Sequence, residues 1–398
     1  MEKWDKVALS EICDLVAGFA FKSKDFGDYD SKVIKITHIT PPSVDMDNLS
    51  GVDISKYNAE KLEKFIAQTG DYVLAMTGAT IGKIGRIEHG KAYINQRVLL
   101  FKPRQCVDRE YLYYALQQYE FAQYIISHVD SESAQPNISA GTIGKYQIVL
   151  PPYEIQKKIG VLLRAYDEKR ENNRKINDNL YAQAKAITKQ WISKSTGDYE
   201  LLPLSDIASI NPDTYSPKEA WEYVNYLDTS SITEGCIAEI QRITPSSEKL
   251  PSRARRKIAP KDIVFSTVRP NQRHYGIISE PLPNMLGSTG FAVIRSKNPL
   301  VCNELIYLCL TENEFIEKMQ QLAEQSTSTF PSIKPSDLGV CEIPCPKDES
   351  STSFTETLRS LFALIAAKQR ENISLAGIRD ALLPKLMSGE IDVSDIQI

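Results

Sequence analysis

The stretch MTGATIGKIGR, from Met76 to Arg86, holds two glycines, a lysine and a strand-like lead-in, GDYVLAMT. Such a set could cradle phosphates and make the chain an ATPase. A Walker A loop, however, needs four residues between its glycines and a Ser or Thr after the lysine, whose hydroxyl holds magnesium. Here three residues separate Gly78 from Gly82, and Ile84 follows Lys83. The spacing argues against an NTPase. His38, His89, His128 and His274 show no metal-ligand spacing, so surface or satisfied core roles are expected of them and no metal site is expected. The seven cysteines are scattered and include no C-x-x-C pair, which points to free thiols in a reducing cytoplasm. With no histidine pattern beside them they make no case for a nucleophile.

LPPY, residues 150–153, has the outline of the methyltransferase element whose first side chain accepts a hydrogen bond from a target amino group. Leu150 offers no acceptor, no glycine-rich cofactor loop precedes it, and the second half reads IPCP instead. Two prolines that end a strand and open a helix explain it more simply. No catalytic constellation emerges, and the chain is expected not to be an enzyme. What remains is polar and basic loop chemistry. After the strand-like YVLAMT come Thr77, Thr80, Lys83 and Arg86; after the matching IVFSTV come Arg269, Asn271, Gln272, Arg273 and His274. Arg253, Arg255 and Arg256 form a basic run, and Gln96, Arg97, Gln135 and Asn137 complete the polar candidates. Arg reads guanine with two hydrogen bonds, Asn and Gln read adenine, and Ser, Thr or Lys take phosphates. Charged loops are usually just solvated; recurrence at one place in two copies is what lifts these into DNA-binding candidates.

The elements that must hold such loops are written twice. KVALSEICDL (6–15) returns as LLPLSDIASI (201–210), GDYVLAMT (70–77) as KDIVFSTV (261–268), and VDREYLYYAL (107–116) as VCNELIYLCL (301–310). QPNISAGTIGKYQI (135–148) returns as FPSIKPSDLGVCEI (330–343). The order is kept while the loops differ, as expected of an internal repeat. Short β-rich runs alternate with helical ones, which predicts two mixed α/β bodies. At 398 residues there is room for several domains, and no apolar run approaches the length of a membrane span. The net charge of −4 requires any nucleic-acid surface to be local or shared with a partner.

Each half ends in a long helical pattern. Ile155, Ile159, Leu162, Tyr166, Lys169, Asn173, Ile176, Leu180, Ala184, Ile187 and Trp191 step mostly by four and three. Phe354, Leu358, Leu361, Ile365, Lys368, Asn372, Leu375, Arg379 and Leu382 keep the same beat, 199 residues on for matched pairs such as Asn173 and Asn372. That beat is a heptad seam, and its duplicated polar step, Lys169/Asn173 and Lys368/Asn372, would fix helix–helix register at a cost in stability.

A duplicated α/β body, variable basic loops, two long helices and the segments LPPYEIQKKI (150–159) and LLPKLMSGEI (382–391) resemble the specificity subunit of a Type I restriction-modification system. The resemblance covers the whole chain. It implies a first target recognition domain at 1–150, a spacer helix at 151–197, a second recognition domain at 198–346, and a second spacer helix with tail at 347–398. The fold class would then be α/β, with two pseudo-repeated recognition domains separated by two long antiparallel coiled-coil helices. Each domain would read one half of a bipartite site in double-stranded DNA, in the cytoplasm. The helices would set the spacing and dock two methyltransferase subunits, with restriction (motor) subunits joining them. S-adenosylmethionine, ATP and Mg would sit on those partners and no cofactor in this chain. Two departures stand out: Thr355 lies where the first helix has Gln156, and AQAKAITKQWI replaces the LLPKL ending. A contrasting possibility is a helical scaffold that organises other proteins without touching DNA.

Overall fold

The computed structural model describes residues 4–130, 136–194, 197–326 and 330–396. The chain divides into a first unit, Met1–Glu171 with Ile373–Ile398, and a second unit, Asn172–Asn372.

In the first unit a six-stranded sheet runs in the order Cys13–Ala17, Val98–Pro103, Tyr72–Ala75, Ile84–Arg86, Ser43–Val44, Ile39–Thr40. A four-stranded sheet has Ser50–Val52, Phe26–Ile34, Lys91–Ile94 and Ile66–Gln68. The central strands read as unbroken apolar runs because both faces are covered. Tyr72, Leu74, Leu99 and Phe101 pack with the helix Arg109–Ala115 on one side. The alternate residues Val73, Ala75, Val98 and Leu100 pack on the other with Ile34 and Ile94 of the smaller sheet. Period-two alternation thus feeds two separate cores.

The second unit repeats this plan. Ala208–Ile210, Phe291–Ser296, Asp262–Ser266 and Tyr275–Ile278 form one sheet; Gln241–Ile243, Val224–Leu227, Met285–Ser288 and Ala254–Lys257 form another. Ile263, Phe265, Ala292 and Ile294 face the helix Asn303–Leu310, while Val264, Phe291 and Val293 face the opposite way. The quoted repeats fall on like elements. KVALSEICDL is strand, short helix and strand at Asp5–Ala8, Leu9–Ile12 and Cys13–Ala17, and LLPLSDIASI is the same at Tyr199–Pro203, Leu204–Ile207 and Ala208–Ile210. In both units the first of these strands pairs antiparallel with the strand that precedes a long helix, Gln147–Leu150 or Glu342–Pro346.

The prolines of LPPY stand between the strand Gln147–Leu150 and the first long helix, Tyr153–Lys194, of 42 residues. The second long helix is Thr352–Ser388, of 37 residues. Within the second unit Trp191 stacks on Phe354 at 4.4 Å while Asn173 Nδ2 donates to Asn372 Oδ1 at 3.0 Å, so the two helices run antiparallel. Within the first unit Ile159 and Leu163 join Leu383, Leu386 and Met387 in one core with Tyr111, Leu112 and Leu116. The helix therefore packs on its own α/β body as well as on its partner helix. That double duty moves the seam: Leu163 is fully buried and Leu162 only partly, and Lys169 is exposed. Among the described residues no helix is long and apolar enough to cross a membrane.

Candidate nucleic-acid interface

The glycine loop joins two antiparallel strands, with Leu74 opposite Ile84. A phosphate-cradling loop would open a helix instead, so the geometry adds to the spacing argument. The second unit has the same connection, with Phe265 opposite Tyr275. Between these pairs lie nine residues in each copy, 75–83 and 266–274, and each span contains one turn of 3-10 helix, Gly78–Thr80 or Pro270–Gln272. The left-handed positions coincide. Gly78 and Gly82 have φ of 73° and 80°; in the second copy Arg269 and Arg273 hold the same places at 47° and 56°. A side chain on Gly78 would meet only Ile36 Cδ1, at 3.8 Å, so conformation and not space is what favours glycine there.

Each hairpin leans on the equivalent segment of its own unit. Gly78 N donates to Pro136 O and Ile138 N to Met76 O; Arg269 N donates to Pro331 O and Ile333 N to Thr267 O. Around the first hairpin Thr77 is buried and its Oγ1 donates to Pro136 O at 2.8 Å. Arg97, exposed, donates from Nη1 to Asn137 Oδ1 at 3.1 Å, and its carbonyl accepts from Met76 N. Lys83 and Gln96 are exposed, and Thr80 has a buried hydroxyl with no partner. The structure thus gathers Thr77, Thr80, Lys83, Gln96, Arg97 and Asn137 at one hairpin. Gln135 lies outside the described residues.

Arg86 goes elsewhere. Its side chain is 5% exposed, its Nη1 donates to Glu110 Oε1 at 2.8 Å, and its guanidinium lies 4.1 Å from the centre of the Tyr113 ring. It sits on the strand Ile84–Arg86 beyond the loop, where side chains face the helix Arg109–Ala115, so it belongs to the interior of the unit.

At the second hairpin Arg269, Asn271 and Gln272 are exposed. The Arg269 guanidinium lies over the Phe330 ring, 4.8 Å from its centre. Arg273 is half-buried and held by Glu234 Oε1 at 3.1 Å and Asn313 Oδ1 at 2.9 Å. His274 turns its Nδ1 to Ile232 O at 2.7 Å and Thr233 Oγ1 at 3.1 Å. Arg253 connects to this hairpin through backbone: its carbonyl accepts from Thr289 N, and Gly290 O accepts from Thr267 N. Arg255 and Arg256 lie on the neighbouring strand Ala254–Lys257, where Arg255 Nη1 and Arg256 Nε are buried without partners. Burial pushes the Arg256 guanidinium down from its ordinary range.

Of the helix residues, Asn173 is fully buried against Asn372, and Lys368 pairs with Glu371 at 2.8 Å. Sequence reasoning missed three polar clusters, two of them at matching places. Asp71 takes Lys102 at 2.6 Å, and Asp262, at the matching place, takes Arg295 at 2.7 Å. Each carboxylate also accepts a backbone N–H, from Gln68 or Ala259, which ties the turn before its strand. Asp167, on the first long helix, accepts from Tyr114 Oη and from Arg379 Nη1, both at 2.7 Å. The recurrence of Asp71 as Asp262 in the aligned repeats was the available signal; Asp167 had none.

Among the described residues no group of His, Cys, Asp and Glu is placed to hold a metal ion. The seven cysteines are free thiols, and burial pushes Cys13 and Cys302 up to about 12, where they stay protonated.

Residues 1–182 match the family model described as the Type I restriction modification DNA specificity domain. The first part of this chain is thus similar to a Type I specificity domain. The chain's likeness to specificity subunits continues beyond that part. The MjaIX specificity subunit of Methanocaldococcus jannaschii is 24% identical over 99% of this chain and 94% of its own. The HindI specificity subunit of Haemophilus influenzae is 29% identical over 33% of this chain and 29% of its own. The crystal structure of a Type I S subunit from M. genitalium superposes with a TM-score of 0.57 at 16% identity, covering 96% of both chains. That structure shares the fold, two α/β bodies with long helices.

Proposed function

We propose that this chain is the non-catalytic DNA-recognition subunit of a Type I restriction-modification complex, with each unit's hairpin reading one half of a bipartite site. The observation that carries the reading is the duplicated hairpin. Scaffold, loop length and left-handed positions match between the copies, while the side chains offered outward differ: Lys83, Gln96 and Arg97 in one, Arg269, Asn271 and Gln272 in the other. Two different base sequences demand that combination, since base edges specify while backbone contacts only position. The specificity-subunit names of the relatives favour the same reading. The long helices would act as spacer and as docking sites for two methyltransferase subunits, with S-adenosylmethionine, ATP and Mg carried by methyltransferase and motor partners. The recognition domains would span 1–150 and 198–346.

Mapping methylated sites in DNA exposed to the complex tests this. A bipartite site should appear, and replacing residues 1–150 with another recognition domain should change one half of it. Both halves changing together would sink the modular reading. A helical scaffold indifferent to DNA would give no site and no salt-sensitive DNA affinity.

A further inference from the structure

The geometry points to Arg269 as a base-reading residue that fixes one guanine in the half-site of the second unit, an assignment that rests on the DNA-recognition reading above. Three observations meet at this residue. Its backbone is left-handed, at φ 47°, where the matching residue of the first hairpin is Gly78. An L side chain is disfavoured in that region, so an arginine there is held against the local preference. Backbone strain of this kind collects at functional sites.

The side chain is exposed, and among the described residues its guanidinium has no hydrogen bond or ion pair. Its neighbour Arg273 shows the contrast. It also stands on left-handed backbone, but its donors are taken by Glu234 and Asn313, which makes it a positioning residue for the loop. Among the arginines of the two hairpins, Arg97 is likewise bound to Asn137 and Arg86 is buried against Glu110.

The third observation is the Phe330 ring beneath the guanidinium. A ring face attracts the cation without serving as a hydrogen-bond acceptor of the ordinary kind, so the N–H donors stay open for a ligand. It also orders a long side chain before binding, which lowers the entropy cost of association. A planar, pre-ordered fork of donors matches the O6 and N7 acceptors on the major-groove edge of guanine. A phosphate contact would need neither the ring nor the strained backbone, since a flexible Lys or Arg on an ordinary loop serves it.

The test is selection from a duplex library randomised across the second half-site, using the full chain with its methyltransferase subunits. Arg269→Gly installs the residue that the first hairpin uses at this position, so the backbone conformation survives. Its thermal midpoint should be unchanged or higher, while discrimination at one G position falls by roughly 5- to 150-fold. The first half-site should be untouched. Arg269→Lys keeps the charge but loses the fork, and should relax the same position while holding most of the overall affinity. Intact preference for every base in both variants would overturn the assignment. So would a uniform loss over all sequences with a salt slope lower by about one, the signature of a phosphate contact. Failure of the wild-type complex to select any sequence would instead remove the DNA-recognition reading, before any variant is compared.

Discussion

Asp262 is fully buried and accepts from Arg295 Nε, Arg295 Nη2 and Ala259 N. Asp262→Ala leaves the amide and the Arg295 Nε and Nη2 donors without their acceptor, while Asp213 keeps Nη1, and should cost about 1–3 kcal/mol of stability, seen as a lower urea midpoint. Arg295 is itself 31% exposed, so water recovers part of the charge and the upper end of that range is not expected. Arg86 sorts the same way. Arg86→Ala should lower stability by about 1–3 kcal/mol by orphaning Glu110 and uncovering Tyr113, and should leave the DNA sequence preference unchanged. A relaxed half-site in that variant, with normal stability, would return Arg86 to the DNA surface. At the reactive end, Cys13 and Cys302 should resist iodoacetamide at pH 8 in the folded chain. A thiol pushed up to about 12 carries almost no thiolate there, and mass spectrometry of the labelled protein reads this directly.

The hairpin is the element that decides recognition in this reading. Grafting residues 266–274 in place of 75–83 exchanges loops of equal length on strands of equal register, with left-handed positions matched. The graft should fold with a thermal midpoint close to that of the parent, and should alter only the first half-site; an unaltered site would move specificity elsewhere in the unit. The repeat, the mixed α/β bodies and both long helices were legible in the sequence, because period-two and heptad spacing repeat over enough residues to be read. Less local facts were not. No pattern in the three residues Ile84–Arg86 says that Arg86 turns inward. Lys169 looked like a seam residue only while the helix was assumed to face one partner; Leu163 packing against the helix Arg109–Ala115 shifts the buried stripe by one position. The equivalence of Gly78 with Arg269 is hidden as well, since residue type there disguises a shared backbone conformation. Of the described DNA candidates, those at each loop lie together, whereas Arg86 is drawn into a core and Arg255 and Arg256 lie on the neighbouring strand Ala254–Lys257.

At the scale of the molecule, the spacer reading predicts that adding one heptad to each long helix, after Asn179 and after Ala366, keeps the seam in phase. Seven residues add about 10 Å, and the gap between half-sites should grow by roughly three base pairs with both half-site sequences kept. An unchanged gap with full activity would rule out the ruler. The chain's division also has a temporal side. The core of the first unit is assembled from Ile159 and Leu163 together with Leu383, Leu386, Met387 and Val393, while the cores of the second unit lie wholly within Asn172–Asn372. A ribosome therefore delivers everything the second unit needs before the last strip of the first exists. Synthesis of the intervening ~200 residues takes about 10–40 s at typical rates, and for that time the earlier-made body lacks the strip that Leu383, Leu386, Met387 and Val393 supply. A chain stopped at Asn372 should then yield a protease-resistant second unit and a digestible first one. The half that is translated first is the half that finishes folding last, and it is the one that would call on a chaperone.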